Sequence, residues 1–256
     1  MKLINYSAIY VMWMREMKRF LRSKSRIIGT LAIPMFFLLS LSFGIGPSVN
    51  LGGIAKGVRY LDFLVPGIIG MNMLFSSMFG GLSVLWDKEF GFLKEILVAP
   101  VRRSSIVLGR ISGALTTTLI QGVLILIISF ALGFKIVNAF SLVSAIIFMI
   151  LICIGFIGAG IAFASILSDT QGFSLITQFI VFPIFLLSGA LFPLANLPGW
   201  IKWLSMIDPL TYGIDGLRGS LIGISQFYPL LDFSVLLVFD FLMVFLGTWL
   251  FSKTEV

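Results

Sequence analysis

One acid in this chain stands where acids are costly. Asp240 lies in the middle of 230-LLDFSVLLVFDFLMVFLGTWLF-251, a run apolar enough overall to sit in lipid. An ionised carboxylate left unpaired in hydrocarbon costs several kcal/mol or takes up a proton instead. Asp240 must therefore face protein or water, as an interhelical hydrogen-bond or ion-pair partner or as a carrier of a coupling proton. Gln121, Gln178, Asn72 and the run Thr116–Thr118 are polar groups in similar surroundings. Residues of this kind usually join helices by hydrogen bonds.

Little else in the chain suggests catalysis. There is no histidine, which excludes His-based acid–base chemistry, Ser-His-Asp triads and the usual zinc constellations. The single cysteine, Cys153, sits inside an apolar run, where a lone thiol behaves as a small hydrophobe. No Gly-x-x-x-x-Gly-Lys followed by Ser or Thr is present, so no such loop cradles nucleotide phosphates. The expectation is a protein that is not an enzyme, with no catalytic residue, no metal site and no cofactor bound by the chain itself.

The elements that hold these polar residues follow from composition. Of 256 residues, 59% are apolar and only 11% charged, against about 25% charged in a typical soluble domain. So much apolar side chain needs lipid as its solvent. A helix needs about 20 apolar residues to cross roughly 30 Å of hydrocarbon. Runs of that kind occur at Ile27–Ile45, Phe63–Trp86, Ile106–Phe134, Leu142–Leu167, Phe173–Phe192 and Leu230–Phe251. The fold class expected is all-α: a single transmembrane domain over residues 1–256 with about six spans, because open sheet edges cannot be satisfied in lipid. Pro34, Pro66 and Pro183 should kink their spans. The small residues Gly155, Gly158, Gly160, Ala162 and Ala164 suit close helix packing or a dimer face.

Charge orients the spans. Lys2, Arg15, Lys18, Arg19, Arg22, Lys24 and Arg26 precede the first, and Lys88, Lys94, Arg102, Arg103 and Arg110 cluster between the second and third. The alternate connections carry few cations, so the positive-inside rule places both termini in the cytoplasm of a multi-pass protein of the cell membrane. The net charge of +7 thus faces a membrane surface, and nucleic acid is not an expected partner. The first apolar run follows a basic segment longer than the n-region of a cleavable signal peptide.

Three segments outside the spans stand out. In 4-INYSAIYVMWMREMKRFLRSKSR-26, Tyr6, Ile9, Tyr10, Trp13, Met17 and Phe20 share one arc of a helix and Arg15, Lys18, Arg19, Arg22 and Arg26 the other. The expected element, residues 1–26, is a cytoplasmic interfacial helix with its rings in lipid and its cations toward headgroups or a partner. In 87-DKEFGFLKEILVAPVRRSSIVLGR-110, the residues Phe90, Leu93, Ile96 and Leu97 follow helical spacing up to Pro100, with Glu89 and Glu95 turned to water. That predicts a short amphipathic helix within residues 87–105, lying on the bilayer or fitting a cleft on a soluble subunit. The third segment, 190-ALFPLANLPGWIKWLSMIDPLTYGIDGLRG-219, is dense in helix breakers and interfacial rings. It is either a structured loop or, across 193–222, a pair of short helices that dips into the membrane from outside and returns.

Two of these segments resemble the ATP-binding-cassette type-2 permeases. Glu89, Gly91, Leu93, Ile96, Leu97, Pro100, Arg103 and Gly109 look like that family's cytoplasmic coupling segment. Phe192-Pro193, then Leu197-Pro198 and Trp200, then Pro209-Leu210 and Tyr212, then Arg218 look like its C-terminal hallmark, and the resemblance covers essentially the whole chain. It implies a permease dimer driven by separate cytoplasmic ATPase subunits, which bind ATP and Mg. It implies ATPase coupling through Glu89, Gly91, Leu93, Glu95, Leu97, Pro100 and Arg103, with Trp13, Arg15, Lys18, Arg19 and Arg22 on the interfacial helix. It implies an outer gate of Phe192, Pro193, Pro198, Trp200, Pro209, Tyr212 and Arg218. Multidrug exporters are the nearest members, so a drug-like or lipophilic cargo is expected. The alternatives are a lipid-linked polysaccharide as cargo, or a proton-coupled transporter using Asp240.

Overall fold

The computed structural model describes residues 5–46, 58–92, 101 and 103–253. Among these residues every regular element is helical. Helix α1 (Tyr6–Arg22) starts where the Asn5 side chain accepts a hydrogen bond from Ala8 N at 3.3 Å. It ends with Arg19 and Arg22 in its last turn, where cations suit the helix dipole. Then come α2 (Lys24–Leu39), extended by a π-helical turn over Ser40–Ile45, α3 (Tyr60–Glu89), α4 (Arg103–Ala131) and α5 (Ser141–Ile166). Helix α6 (Thr170–Leu187) carries a π-helical turn, Thr177–Val181, just before Pro183. The wider turn accommodates the missing proline donor. Two short helices, α7 (Gly199–Ile207) and α8 (Pro209–Ile222), precede α9 (Pro229–Lys253).

Among the described residues six helical stretches are long and apolar enough to cross a membrane: Ile27–Gly44, α3, α4, α5, α6 and α9. The fifth differs most from its expected bounds. It begins at Thr170 because the Asp169 carboxylate caps it through Gly172 N at 2.7 Å, and it stops at Leu187. The described edges of the expected amphipathic segment belong to its neighbours. Residues 87–89 continue α3, and Arg103–Ser105 already belong to α4. Leu93, Glu95, Ile96, Leu97 and Pro100 lie outside the described residues.

Helices α3 and α5 form the centre: 78% of the α3 window and 61% of the α5 window are buried, against 11% for the first span. Without a hydrophobic force between helices in lipid, close backbone approach has to hold them together. A Cβ on Gly81 would lie 2.2 Å from the Gly160 carbonyl carbon, and one on Gly247 would lie 2.7 Å from the Gly158 oxygen. The small residues of α5 therefore seat it between α3 and α9 of the same chain, and packing rather than a dimer face accounts for them.

Helix α8 is driven into this bundle. Leu210, Ile214, Leu217 and Leu221 are at most 1% exposed. A Cβ on Gly213 would meet Ile152 at 2.6 Å, near the middle of α5. At its other end, Val137 N in the α4–α5 connection donates to Leu221 O at 3.1 Å, and Gly223 takes φ 73 to close the helix. Fourteen residues at about 1.5 Å each span about 21 Å, less than a full bilayer core. The α7–α8 pair is thus a short helical hairpin whose second arm runs from the mid-level of the bundle, at Gly213, to its end, at Leu221.

Candidate functional site

The end of the bundle that carries α1 holds a knot of charge. Asp87, in the last turn of α3, accepts from Arg110 of α4 at 2.5 Å and from Arg15 of α1 at 2.7 Å. Arg110 is 1% exposed and also donates to Ser83 Oγ at 3.2 Å. Glu16 lies 3.4 Å from Arg15. Burial acts to lower the Arg15 pKa, but the hydrogen bond and charge of Asp87, with Glu16, outweigh it and hold that guanidinium above its ordinary value. The two residues after Asp87 bind elsewhere: Lys88 Nζ donates to Leu167 O at 3.2 Å, and Glu89 Oε1 accepts from Thr170 N at 2.9 Å. Three consecutive side chains at the end of α3 therefore tie it to α1, α4 and the α5–α6 connection. Gly91 then turns the chain with φ 76, and Arg103 donates to Ser252 O at the end of α9.

Helix α1 does not rest on lipid alone. A Cβ on Gly109 would lie 2.6 Å from the Met12 Cβ, and one on Gly113 2.7 Å from that of Glu16, so α1 packs closely along α4. Trp13 Nε1 donates to Thr116 Oγ1 at 3.0 Å, and Asn5 N to Ser105 Oγ at 3.1 Å. Of the expected aromatic arc, Phe20 is buried while Tyr6 and Tyr10 are exposed. Of the expected cationic arc, Arg15 turns inward to Asp87 and Arg19 sits 5.0 Å over the Trp86 ring. Lys18 and Arg22 remain exposed. Pattern alone could not reveal this, because α4 supplies glycines and hydroxyls that only the folded chain brings alongside.

The hairpin brings several expected gate residues together. Arg218 is 3% exposed, with its guanidinium 3.8 Å over the Phe63 ring and Nη2 donating to Gly189 O at 3.1 Å. Burial lowers its pKa to about 10, against the opposing pull of Asp215. Pro209 opens α8 behind the Asp208 cap, whose carboxylate accepts from Leu210 N at 2.9 Å. Burial raises the Asp208 pKa to about 7, opposed by Leu210 N–H and Thr211. Tyr212 donates to Met206 O at 2.8 Å and so closes the α7–α8 corner. Pro193 is buried, whereas Phe192, Pro198 and Trp200 face outward.

Between the two ends lie two adjoining chambers. One, of about 200 Å³, is bounded by α1, α2, α3 and α4 and lined by Glu16, Ser83, Thr117, Thr118 and Gln121 among others. The other, of about 330 Å³, lies between α2, α3 and α6 with Phe37, Phe75, Phe182 and Phe185 on its walls. Thr30, Ser76 and Phe79 border both. Ser76 donates to Gln121 Oε1 at 2.7 Å, and buried Asn72 leaves its Nδ2 without a partner beside the aromatic chamber. Ser76, which borders both chambers, thus links Gln121 of the smaller one to the larger, whereas Gln178 is exposed on α6 and bonded to Ser174. Asp240 is buried against Gly155, with neither oxygen hydrogen-bonded, and lines neither chamber. Sequence reasoning missed Glu16, Ser83 and the pairing of Asp87 with Arg110. The available signal was an acid ending one span opposite an arginine beginning the next.

The profile of the family described as ABC-2 type transporter matches residues 7–222. The chain is 28% identical over 237 residues to the inner membrane transport permease YadH of Escherichia coli (strain K12), covering 91% of this chain and 90% of that one. It is 27% identical over 229 residues to Nodulation protein J of Rhizobium meliloti (strain 1021), covering 89% and 86% respectively.

Proposed function

The chain belongs to the ABC-2 type transporter family, and from that premise we propose that it moves a drug-like or lipophilic substrate outward, driven by a separate ATPase subunit. It is a membrane permease of an ABC transporter; the cargo, the direction and the place of docking are the proposal. ATP and Mg bind the partner, which docks at the basic end, and that end faces the cytoplasm in keeping with its excess of Lys and Arg. A homodimer of permeases places the exposed apolar side chains of α2 and α6, such as Phe36 and Phe179, against a second copy or lipid.

The observation that carries this reading is the tie made by Asp87, Lys88 and Glu89 at the end of α3. The connection that follows is the expected coupling segment. A push there moves α3, and through these bonds moves α1, α4 and the start of α6 with it. Helices α2, α3 and α6 wall the aromatic chamber, so the same push reshapes a volume suited to an apolar body. Arg218 ties the hairpin to Gly189 and Phe63 at the opposite end, while Tyr212 and Asp208 brace its corner from within, and there it closes the exit.

A lipid-linked glycan is the second reading of the cargo, favoured by the hydroxyl and amide groups of the smaller chamber. Proton coupling through Asp240 gains no support, because that residue lines neither chamber. The test is transport in proteoliposomes with and without the ATPase subunit. Export should require both chains and ATP, and Asp240→Asn should alter stability more than transport. Uphill export by this chain alone would overturn the proposal.

A further inference from the structure

Among the described residues, buried charge is matched at the basic end of the bundle and unmatched at the other. At the basic end, Arg15 and Arg110 meet Asp87 and Glu16. At the far end, Arg218 acts on Asp215, and Asp215 lies within electrostatic reach of Asp232. The Asp215 oxygens are already engaged: they accept from Gln226 N at 2.8 and 3.0 Å and from Phe227 N at 2.9 Å. Asp232, in the first turn of α9, has no such donors. It is 0% exposed, and among the described residues neither of its carboxylate oxygens has a hydrogen-bond partner. One arginine among three such groups leaves an acid uncompensated, and a buried carboxylate without counter-charge or donors is strongly unfavourable.

Asp232 lines a cleft of about 430 Å³ between α5, α8 and α9. Its other walls include the hydroxyls of Ser144, Ser220 and Ser225, the rings of Phe148 and Phe233, and Leu230. We propose that this cleft binds the ammonium group of an amphiphilic amine, with Asp232 as its counter-ion. An ammonium is satisfied by one carboxylate, hydroxyl oxygens as acceptors and an aromatic face, and the apolar walls take the alkyl portion. A calcium ion asks for six or more oxygen ligands. Among the described residues no group of three acids, cysteines or histidines is suited to a metal. The Ser144 and Ser220 hydroxyls bond to each other, which leaves lone pairs free to accept from an ammonium. Asp240, the other unpartnered acid on α9, does not line this cleft. The site stands apart from both chambers, and its assignment does not depend on which cargo the chain carries. Its amine can come from an aminophospholipid headgroup or from a soluble amphiphile.

The test uses the full chain in an uncharged detergent and measures thermal unfolding with octylammonium, octanol or octyl sulfate. Octylammonium at a hundredfold excess over its Kd should raise the unfolding temperature by about 5 °C or more, and the other two should not. Asp232→Asn should remove that gain without lowering the unfolding temperature of the amine-free protein. Equal shifts with octanol and octylammonium overturn the proposal, and that comparison on the unaltered chain decides the matter even where Asp232→Asn fails to fold. A gain retained in Asp232→Asn also overturns it, leaving a protonated carboxyl beside an ordinary groove. Mass spectrometry of co-purified lipid identifies the source. Phosphatidylethanolamine enriched over phosphatidylglycerol, and lost in Asp232→Asn, assigns the site to a headgroup, whereas the octylammonium gain without that enrichment assigns it to a soluble amine.

Discussion

Replacing Asp87 with Asn keeps the shape of the side chain and removes the one charge that two arginines share. Arg110 is 1% exposed and would be left with Ser83 as its remaining side-chain partner. Breaking a buried pair by removing one member costs about 3–5 kcal/mol, because the other charge stays desolvated. Arg15, with 36% of its side chain exposed, can turn to water, so Arg15→Gln should cost about 1 kcal/mol or less. Removing both buried charges with apolar residues of similar volume, as in Asp87→Leu with Arg110→Met, should restore most of the loss. The assay is graded unfolding in mixed SDS micelles, followed by tryptophan fluorescence. A cost below about 1 kcal/mol for Asp87→Asn, or one equal to that of Arg15→Gln, would refute the reasoning that Arg110 is held by Asp87. The restored double variant also separates stability from coupling: it should fold, yet show weaker stimulation of the partner ATPase by substrate.

Glycine contacts give a second outcome. Gly81→Ala places a Cβ 2.2 Å from Gly160 C and 2.5 Å from Ile161 N, and neither backbone atom can rotate away. The helices must part, at about 3 kcal/mol, whereas Gly29→Ala meets nothing within 4 Å and should be neutral or slightly stabilising; thermal unfolding of the two variants decides it. Asp208 gives a third. Its pKa is raised to about 7 in the folded chain from about 4 in an unfolded one, so the folded state holds the proton more tightly. The stability this confers is fully present below about pH 4 and is lost as pH rises toward about 7. Asp208→Asn, which can still cap α8, should flatten that pH dependence of unfolding.

Much of the fold was legible because lipid is a strict solvent. A helix that crosses it needs a long apolar run, and each of the six runs became a helix within a few residues of its expected ends. The ends themselves shifted where a local contact took over, as at Asp169, whose cap starts α6 before its apolar run. The candidate site was legible only in part. Tyr212, Pro209 and Arg218 stood out as a dense motif, and the structure gathers them in the hairpin. Asp87 and Arg110 looked like ordinary charges flanking two spans; an acid ending one span and an arginine beginning the next allow a pair, but only the crossing of the two helices makes it. Tyr10 and Trp13 lay on one arc, yet the fold exposes the first and bonds the second to Thr116.

From its sequence alone this chain had to be a helical membrane protein, because backbone groups in hydrocarbon must be satisfied within each span and hydropathy over some twenty residues records that demand. Which charges pair, where a carboxylate is left without a partner and where the helices stand apart enough to leave a cavity depend on how helices distant in sequence cross. Those crossings are set by glycines such as Gly81 and Gly160, which let backbones touch. They turn Asp87 into one half of a buried pair and leave Asp232 facing a cleft, although both are aspartates at the ends of apolar runs.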